Sequence, residues 1–379
     1  MLDELPEPDP VDEVGPRTVA TQNTTRIAGV DPTADAAGVA LASYPPAAEQ
    51  GRARVAVLAP ADSWQSALAA GSLAADPIGA PILLGASDEI PGFTAEALAA
   101  LSPRGLKRIG GVNAVAIGDV ATPEDLNTLD LPGGDPAEVA KQVDRLRRRL
   151  GGRAEPAHIV VASSERAPFA MPAAAWAARS GDPIVFADGD QVPNATIDVI
   201  EQYPDAGVYV LGPESVISKG ALRELEKVAG RAIRVGAEDP VSNAIEFARF
   251  VDGDFGWNII DPGHGFVIAN TGRPADVAAA APLAAGGKPG PLLLTDTADQ
   301  MPDALGAFLL DTKPGFVDDP TRAVYNHAWL LGDSTAISPE LQAEIDRLTE
   351  LEQIARGAGN EILGGAGSAP EPEVSPKDR

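Results

Sequence analysis

At 379 residues the chain exceeds one hydrophobic core and points to two or three domains at roughly 150 residues apiece. Its 44% hydrophobic content is nearly all aliphatic, with 4% aromatic residues and no cysteine, which excludes disulfides, thiolate chemistry and Cys-type zinc sites and leaves few stacking platforms for single-stranded nucleic acid. Of the formal charge of −26, −5 falls in residues 1–24 and −1 in 356–379; the remaining −20 on the body opposes a nucleic-acid partner.

Residues 1–24 are acidic, proline-rich and aperiodic, and read as a disordered leader. The start Met1-Leu2-Asp3-Glu4-Leu5-Pro6 lacks the basic and apolar regions of a secretory signal, so either the protein stays in the cytoplasm or a signal has been removed. No apolar run approaches the roughly 20 residues of a membrane helix. A pattern then appears three times. Asp-Pro pairs at Asp31-Pro32, Asp135-Pro136 and Asp239-Pro240 are each 104 residues apart. After each comes an apolar strand: Val55 to Ala59, His158 to Ala162, and Phe266 to Ala269. Next stand Pro81-Ile82-Leu83-Leu84, Pro183-Ile184-Val185-Phe186 and Pro291-Leu292-Leu293-Leu294, with a further proline at 91, 193 and 302. A strand ending in Gly118, Gly212 or Gly332 closes each copy. The repeats are expected at 25–131, 132–231 and 232–354, with a disordered tail at 355–379.

Within a repeat, apolar runs of four or five residues alternate with segments of helical spacing, which predicts an α/β fold with mostly parallel sheets. Uninterrupted runs such as Ile82-Leu83-Leu84 fit strands covered on both faces. Each Asp-Pro pair reads as an N-cap with proline at the first helical position, rather than as a catalytic aspartate. Ser218 to Val228 is a predicted helix capped by Ser218 and stopped by Gly230, with a counterpart from Ser338-Pro339. The alanine-rich segments Ser66 to Gly71 and Ala278 to Ala285 predict close packing of helices; grooves between repeats where a polymer lies are the functional alternative.

Candidate chemistry is sparse. The loops after the first strands, Pro60-Ala61-Asp62-Ser63, Ser163-Ser164-Glu165-Arg166 and Asn270-Thr271-Gly272-Arg273, match no phosphate-binding glycine motif, so no cofactor is expected. His158, His264 and His327 occupy unlike places in their repeats, and no metal site is expected. With no G-x-S-x-G elbow, no catalytic residue is assigned. Arg145, Arg147, Arg148 and Arg149 read first as cations complementing a helix C-terminus before Gly151-Gly152, and second as an anion-contacting patch.

Arg26-Ile27-Ala28-Gly29-Val30-Asp31 and Arg234-Val235-Gly236-Ala237-Glu238-Asp239 resemble the opening of the cell-wall-binding repeat 2 family, and Pro81-Ile82-Leu83-Leu84 is similar to its Pro-Ile-Leu-Leu element. The alanine-rich Ser66 to Ala70 and Pro282 to Ala285, and the strand Val208-Tyr209-Val210-Leu211-Gly212, resemble later parts. The resemblance implies three Rossmann-like units in a pseudo-threefold arrangement, at the cell wall or outside the cell. It further implies noncatalytic, noncovalent attachment to cell-wall polysaccharide or another anionic glycopolymer. The polymer-binding element it implies maps to Pro81, Ile82, Leu83 and Leu84, to Pro183, Ile184, Val185 and Phe186, and to Pro291, Leu292, Leu293 and Leu294. Large apolar side chains in such strands read first as core and only second as contacts to a ligand. The alternative function is an enzyme or small-ligand receptor with a cleft in the third repeat, where the insertion Asp311 to Asn326 and the loop Gly272-Arg273-Pro274 depart most from the other copies.

Overall fold

The structure is a computed structural model that describes residues 18–45, 53–151, 155–285 and 290–354. Most of the expected leader and the whole expected tail lie outside the described residues.

The chain starts with strands β1 (Thr18–Ala20) and β2 (Thr24–Ile27) and helix α1 (Pro32–Ser43). There follow β3 (Ala56–Pro60), α2 (Trp64–Ala70), β4 (Ile82–Gly85), α3 (Gly92–Leu101), β5 (Ala114–Ile117) and β6 (Thr128–Leu131). The middle comprises α4 (Pro136–Leu150), β7 (His158–Ser163), α5 (Ala167–Ala170), α6 (Ala173–Ser180), β8 (Ile184–Ala187), α7 (Asn194–Gln202), β9 (Gly207–Leu211), α8 (Lys219–Ala229) and β10 (Ala232–Val235). The last third holds α9 (Pro240–Arg249), β11 (Gly265–Asn270), α10 (Val277–Ala285), β12 (Leu292–Thr295), α11 (Asp303–Asp311), β13 (Gly315–Phe316), β14 (His327–Leu331), α12 (Pro339–Thr349) and β15 (Glu352–Gln353).

The expected caps form for local reasons. Asp31 accepts from the Ala34 amide, Asp135 from Ala137 and Glu138, and Asp239 from Ser242, each with proline in the first turn. Ser218 and Ser338 cap α8 and α12 in the same way.

Three larger sheets result, in the orders β4-β3-β5-β6, β8-β7-β9-β10 and β12-β11-β14-β2-β1. All their pairings are parallel except that of β1 with β2. The fourth strand of the third sheet therefore comes from the far N-terminus. Thr24 to Ile27 pair with Ala328 to Leu331, whereas β10, which opens the third sequence repeat, pairs with β9 of the second sheet. Sheet membership is thus offset from the expected repeats at β2 and β10, whereas β6 completes the first sheet within the repeat expected at 25–131. The physical reason is that the strand before each Asp-Pro cap completes the preceding sheet, and the helix after it crosses to the next. For the first such strand, the available preceding edge is that of the third sheet, and the chain closes on itself.

The alanine-rich segments meet inside. Residues 67–70 of α2, 173–178 of α6 and 277–284 of α10 are buried in one hydrophobic cluster that runs through all three sheets. Small side chains let these helices approach closely: a Cβ on Gly71 would stand 3.4 Å from the Ala174 carbonyl oxygen and 3.6 Å from the Ala177 Cβ. No described helix is long and apolar enough to cross a membrane.

Candidate functional site

The Pro-Ile-Leu-Leu element and its two counterparts lead into the strands β4, β8 and β12. All twelve residues are buried, and Ile82, Leu83, Leu84, Phe186, Leu292, Leu293 and Leu294 are completely inaccessible. Their side chains fill the core, so any influence on an external polymer passes through the fold. The cluster Arg145, Arg147, Arg148 and Arg149 is divided by its helix. Arg145 and Arg149 are exposed, and Arg148 is half-buried over the Tyr203 ring. Arg147 lies wholly inside, donating to Asp144 at 2.8 Å, while the Tyr203 hydroxyl donates to the other Asp144 oxygen at 2.7 Å. The four do not form one surface patch, because on α4 the second of them, Arg147, faces inward toward a buried carboxylate. Gly151, with φ of 100°, ends the helix as expected.

Arg26 and Arg234 hold equivalent posts in two sheets. From β2, Arg26 donates to the carbonyls of Gly332, Asp333 and Ser338 and to the Gln342 side chain, fastening the turn from β14 into α12. From β10, Arg234 donates to the Gly212, Ile217 and Ser218 carbonyls, fastening the turn from β9 into α8. The arginines of the resembling motif are therefore clamps on the third-strand turns.

Beside the Arg26 clamp lies the most strongly perturbed acid pair. Asp35 accepts from the Gly29 and Gly332 amides and pairs with Arg273, whose Nε donates to Asp276 at 2.9 Å. Both carboxylates are fully buried. Burial, and then the Asp276 charge, pushes Asp35 up to about 8; burial likewise pushes Asp276 up to about 6 against the pull of Arg273. One guanidinium serves two carboxylates, so the pair retains a proton that exposed aspartates would have lost.

An open site lies at the opposite, amino ends of the third sheet's strands. A groove of about 700 Å3 separates the end of α1 (Ser43, Tyr44) and Asp76 from the starts of β11 and β14. His327 and Trp329 face it from β14, where Trp329 is held in register between Thr25 of β2 and Val267 of β11. Their rings meet edge-on at 5.7 Å, and His327 Nε2 lies 3.0 Å from the Thr25 hydroxyl. Burial lowers the His327 pKa, leaving a neutral imidazole at physiological pH. Tyr325 stands exposed on the rim with its hydroxyl donating to the Pro320 carbonyl at 2.7 Å. Asn326 anchors this rim by accepting from the Gly263 and His264 amides and donating to the Thr312 carbonyl. His264 also lines the groove, so the structure joins two histidines that fall at unlike places in the repeat. No sequence spacing marks this juxtaposition, since its walls come from the first and last thirds of the chain. Among the described residues no cluster of three metal-ligating side chains occurs.

Residues 131–222 match the family model of cell wall binding domain 2 (CWB2). The matched stretch runs from the end of β6, the last strand of the first sheet, through α4 to β9 and into α8. The chain is similar in fold to Cwp6 from Clostridium difficile, with a TM-score of 0.68 and 18% identity over 86% of this chain and 48% of that one. It is likewise similar to Cwp8 from Clostridium difficile, with a TM-score of 0.66 and 18% identity over 87% of this chain and 52% of that one. The chain thus spans about half the length of these solved structures. No curated protein matches it.

Proposed function

We propose that this protein attaches noncovalently to the cell wall, binding a secondary wall polymer through three repeats arranged about a pseudo-threefold axis, without catalysis. The CWB2 match at residues 131–222 carries this reading, and the likeness in fold to Cwp6 and Cwp8 supports the architecture. The position of the groove supports it too. Its walls come from α1 of the first repeat and β11 and β14 of the third, as expected of an adhesive surface between repeats rather than a reaction cleft inside one. An enzyme or receptor site in the third repeat has one observation in its favour, the raised pKa values of Asp35 and Asp276. Both carboxylates, however, are sealed from solvent and paired with Arg273, and Asp35 also accepts from two backbone amides, which makes them parts of the closure between the opening strands and the third sheet. The reading places the protein at the cell surface. Sedimentation of the full chain with purified Gram-positive walls tests it: co-sedimentation that free wall polymer competes away is expected, and absence from the pellet across salt and divalent-cation concentrations refutes it.

A further inference from the structure

We infer that the groove between α1 and the amino ends of β11 and β14 binds an uncharged saccharide, its ring face stacked on Tyr325 and Trp329. This inference rests on the wall-binding reading and names the part of the polymer that the groove takes.

Three observations carry it. First, the chain has only four tryptophans and four tyrosines, yet Tyr44, Tyr325 and Trp329 converge here. The C–H-rich face of a pyranose is apolar with slightly positive hydrogens, and it meets the negative face of an aromatic ring favourably. Ser43, His264 and neutral His327 lie beside those rings as partners for hydroxyl and amide groups, the mixture of apolar wall and few polar groups that small-molecule sites show.

Second, the groove's charge disfavours an anion. Among the described residues that line it, none is lysine or arginine, while Asp76 lines it and Asp261 pairs with His264 at 3.0 Å. The Asp76 charge, after burial, helps push the Tyr44 hydroxyl up to about 12, so the field at this wall is negative. A phosphate or uronate would enter against that field, whereas a neutral ring would not.

Third, the corresponding place at another junction is filled by a ring from the chain itself. There the segment after α9 approaches the amino ends of β7 and β9, as the end of α1 approaches those of β11 and β14. Phe255, wholly buried, stacks on Tyr209 at 3.6 Å and meets His158 and Trp176 edge-on at 5.3 and 4.8 Å. The architecture therefore accommodates a flat ring at this position, supplied internally at one junction and by none of the described residues at the other.

The test titrates the full-length protein with tetramers of N-acetylglucosamine, of glucose and of rhamnose, and separately with glycerol phosphate. Binding is read by saturation-transfer NMR and by tryptophan fluorescence. Saturable binding of at least one neutral tetramer is expected, with no response to glycerol phosphate. Tyr325→Ala, an exposed position whose loss leaves the fold intact, is expected to weaken binding about tenfold. Trp329→Phe should lose much of the fluorescence response while retaining NMR-detected binding. The proposal is overturned if all three tetramers fail, if glycerol phosphate binds in their place, or if Tyr325→Ala binds as tightly as the parent. Wall sedimentation in parallel separates the two readings. Parent protein that pellets with walls but ignores the tetramers retains wall attachment without this site, whereas parent protein that never pellets removes wall attachment itself.

Discussion

Arg26 shows how one side chain can hold a junction. It is almost fully buried and makes hydrogen bonds to three carbonyls and Gln342, so removing it leaves acceptors without donors in a dry environment. Arg26→Ala is expected to lower stability by about 2–4 kcal/mol, read from urea midpoints. Arg26→Lys should recover only part of this, since a single ammonium cannot span all four acceptors. The buried acid pair has a different signature. Unfolded aspartates lose their protons near pH 4, while folded Asp276 and Asp35 hold theirs to about 6 and about 8. The folded state therefore binds more protons across that window, and the pair's contribution to stability falls as pH rises through it. Asp276→Asn removes one carboxylate and leaves Asp35 alone with Arg273. The drop in urea midpoint from pH 5 to pH 8 is expected to be smaller in this variant than in the parent; an equal drop refutes the assignment. At this scale the sequence was legible wherever partners are near neighbours. Asp31, Asp135 and Asp239 cap helices two or three residues away, which a motif can show. The inward turn of Arg147 rests on Asp144, which is itself held by the hydroxyl of Tyr203 at the end of α7, and that distant partner is not marked in the local sequence.

Among elements, β2 is the decisive one. Alternation and apolar runs identified the strands and their parallel pairing, because buried parallel strands have a compositional signature. The destination of β2 had no such signature, since Arg26-Ile27 reads the same whether it opens one sheet or completes another. Deleting residues 1–27 would expose the β14 edge and remove the Arg26 clamp. Hydrogen exchange is expected to show lost amide protection in β14 and β11, with β3 and β7 still protected. The central helices make a complementary prediction. Ala177 is inaccessible and lies within reach of Gly71, so Ala177→Leu forces apart two backbones that alanine and glycine allow to approach. Overpacking of this kind costs about 1–3 kcal/mol, measurable as a lower urea midpoint.

For the whole molecule, the formal charge of −26 governs encounter with any charged surface. If the wall polymer is anionic, long-range repulsion slows association at low salt, and screening relieves it once the Debye length falls to about 10 Å near 0.1 M. Wall sedimentation is then expected to rise from low to moderate ionic strength and with millimolar magnesium or calcium, opposite to the trend for a basic adhesin. Composition made the charge legible at once, but the acid-lined groove emerged only when residues 42–79 and 263–329 were brought together by the fold.

Pairing β2 with β14 also governs the order of assembly during synthesis. Thr25 leaves the ribosome 302 residues ahead of His327, whose ring lies beside its hydroxyl in the finished protein. The first two sheets can form as they are translated, while the opening strand must wait, unpaired, for the 302 residues that separate it from its partner. A translation product cut short before residue 327 would carry that orphan edge permanently, giving quality-control proteases a physical mark by which to tell it from a chain in which the third sheet has closed.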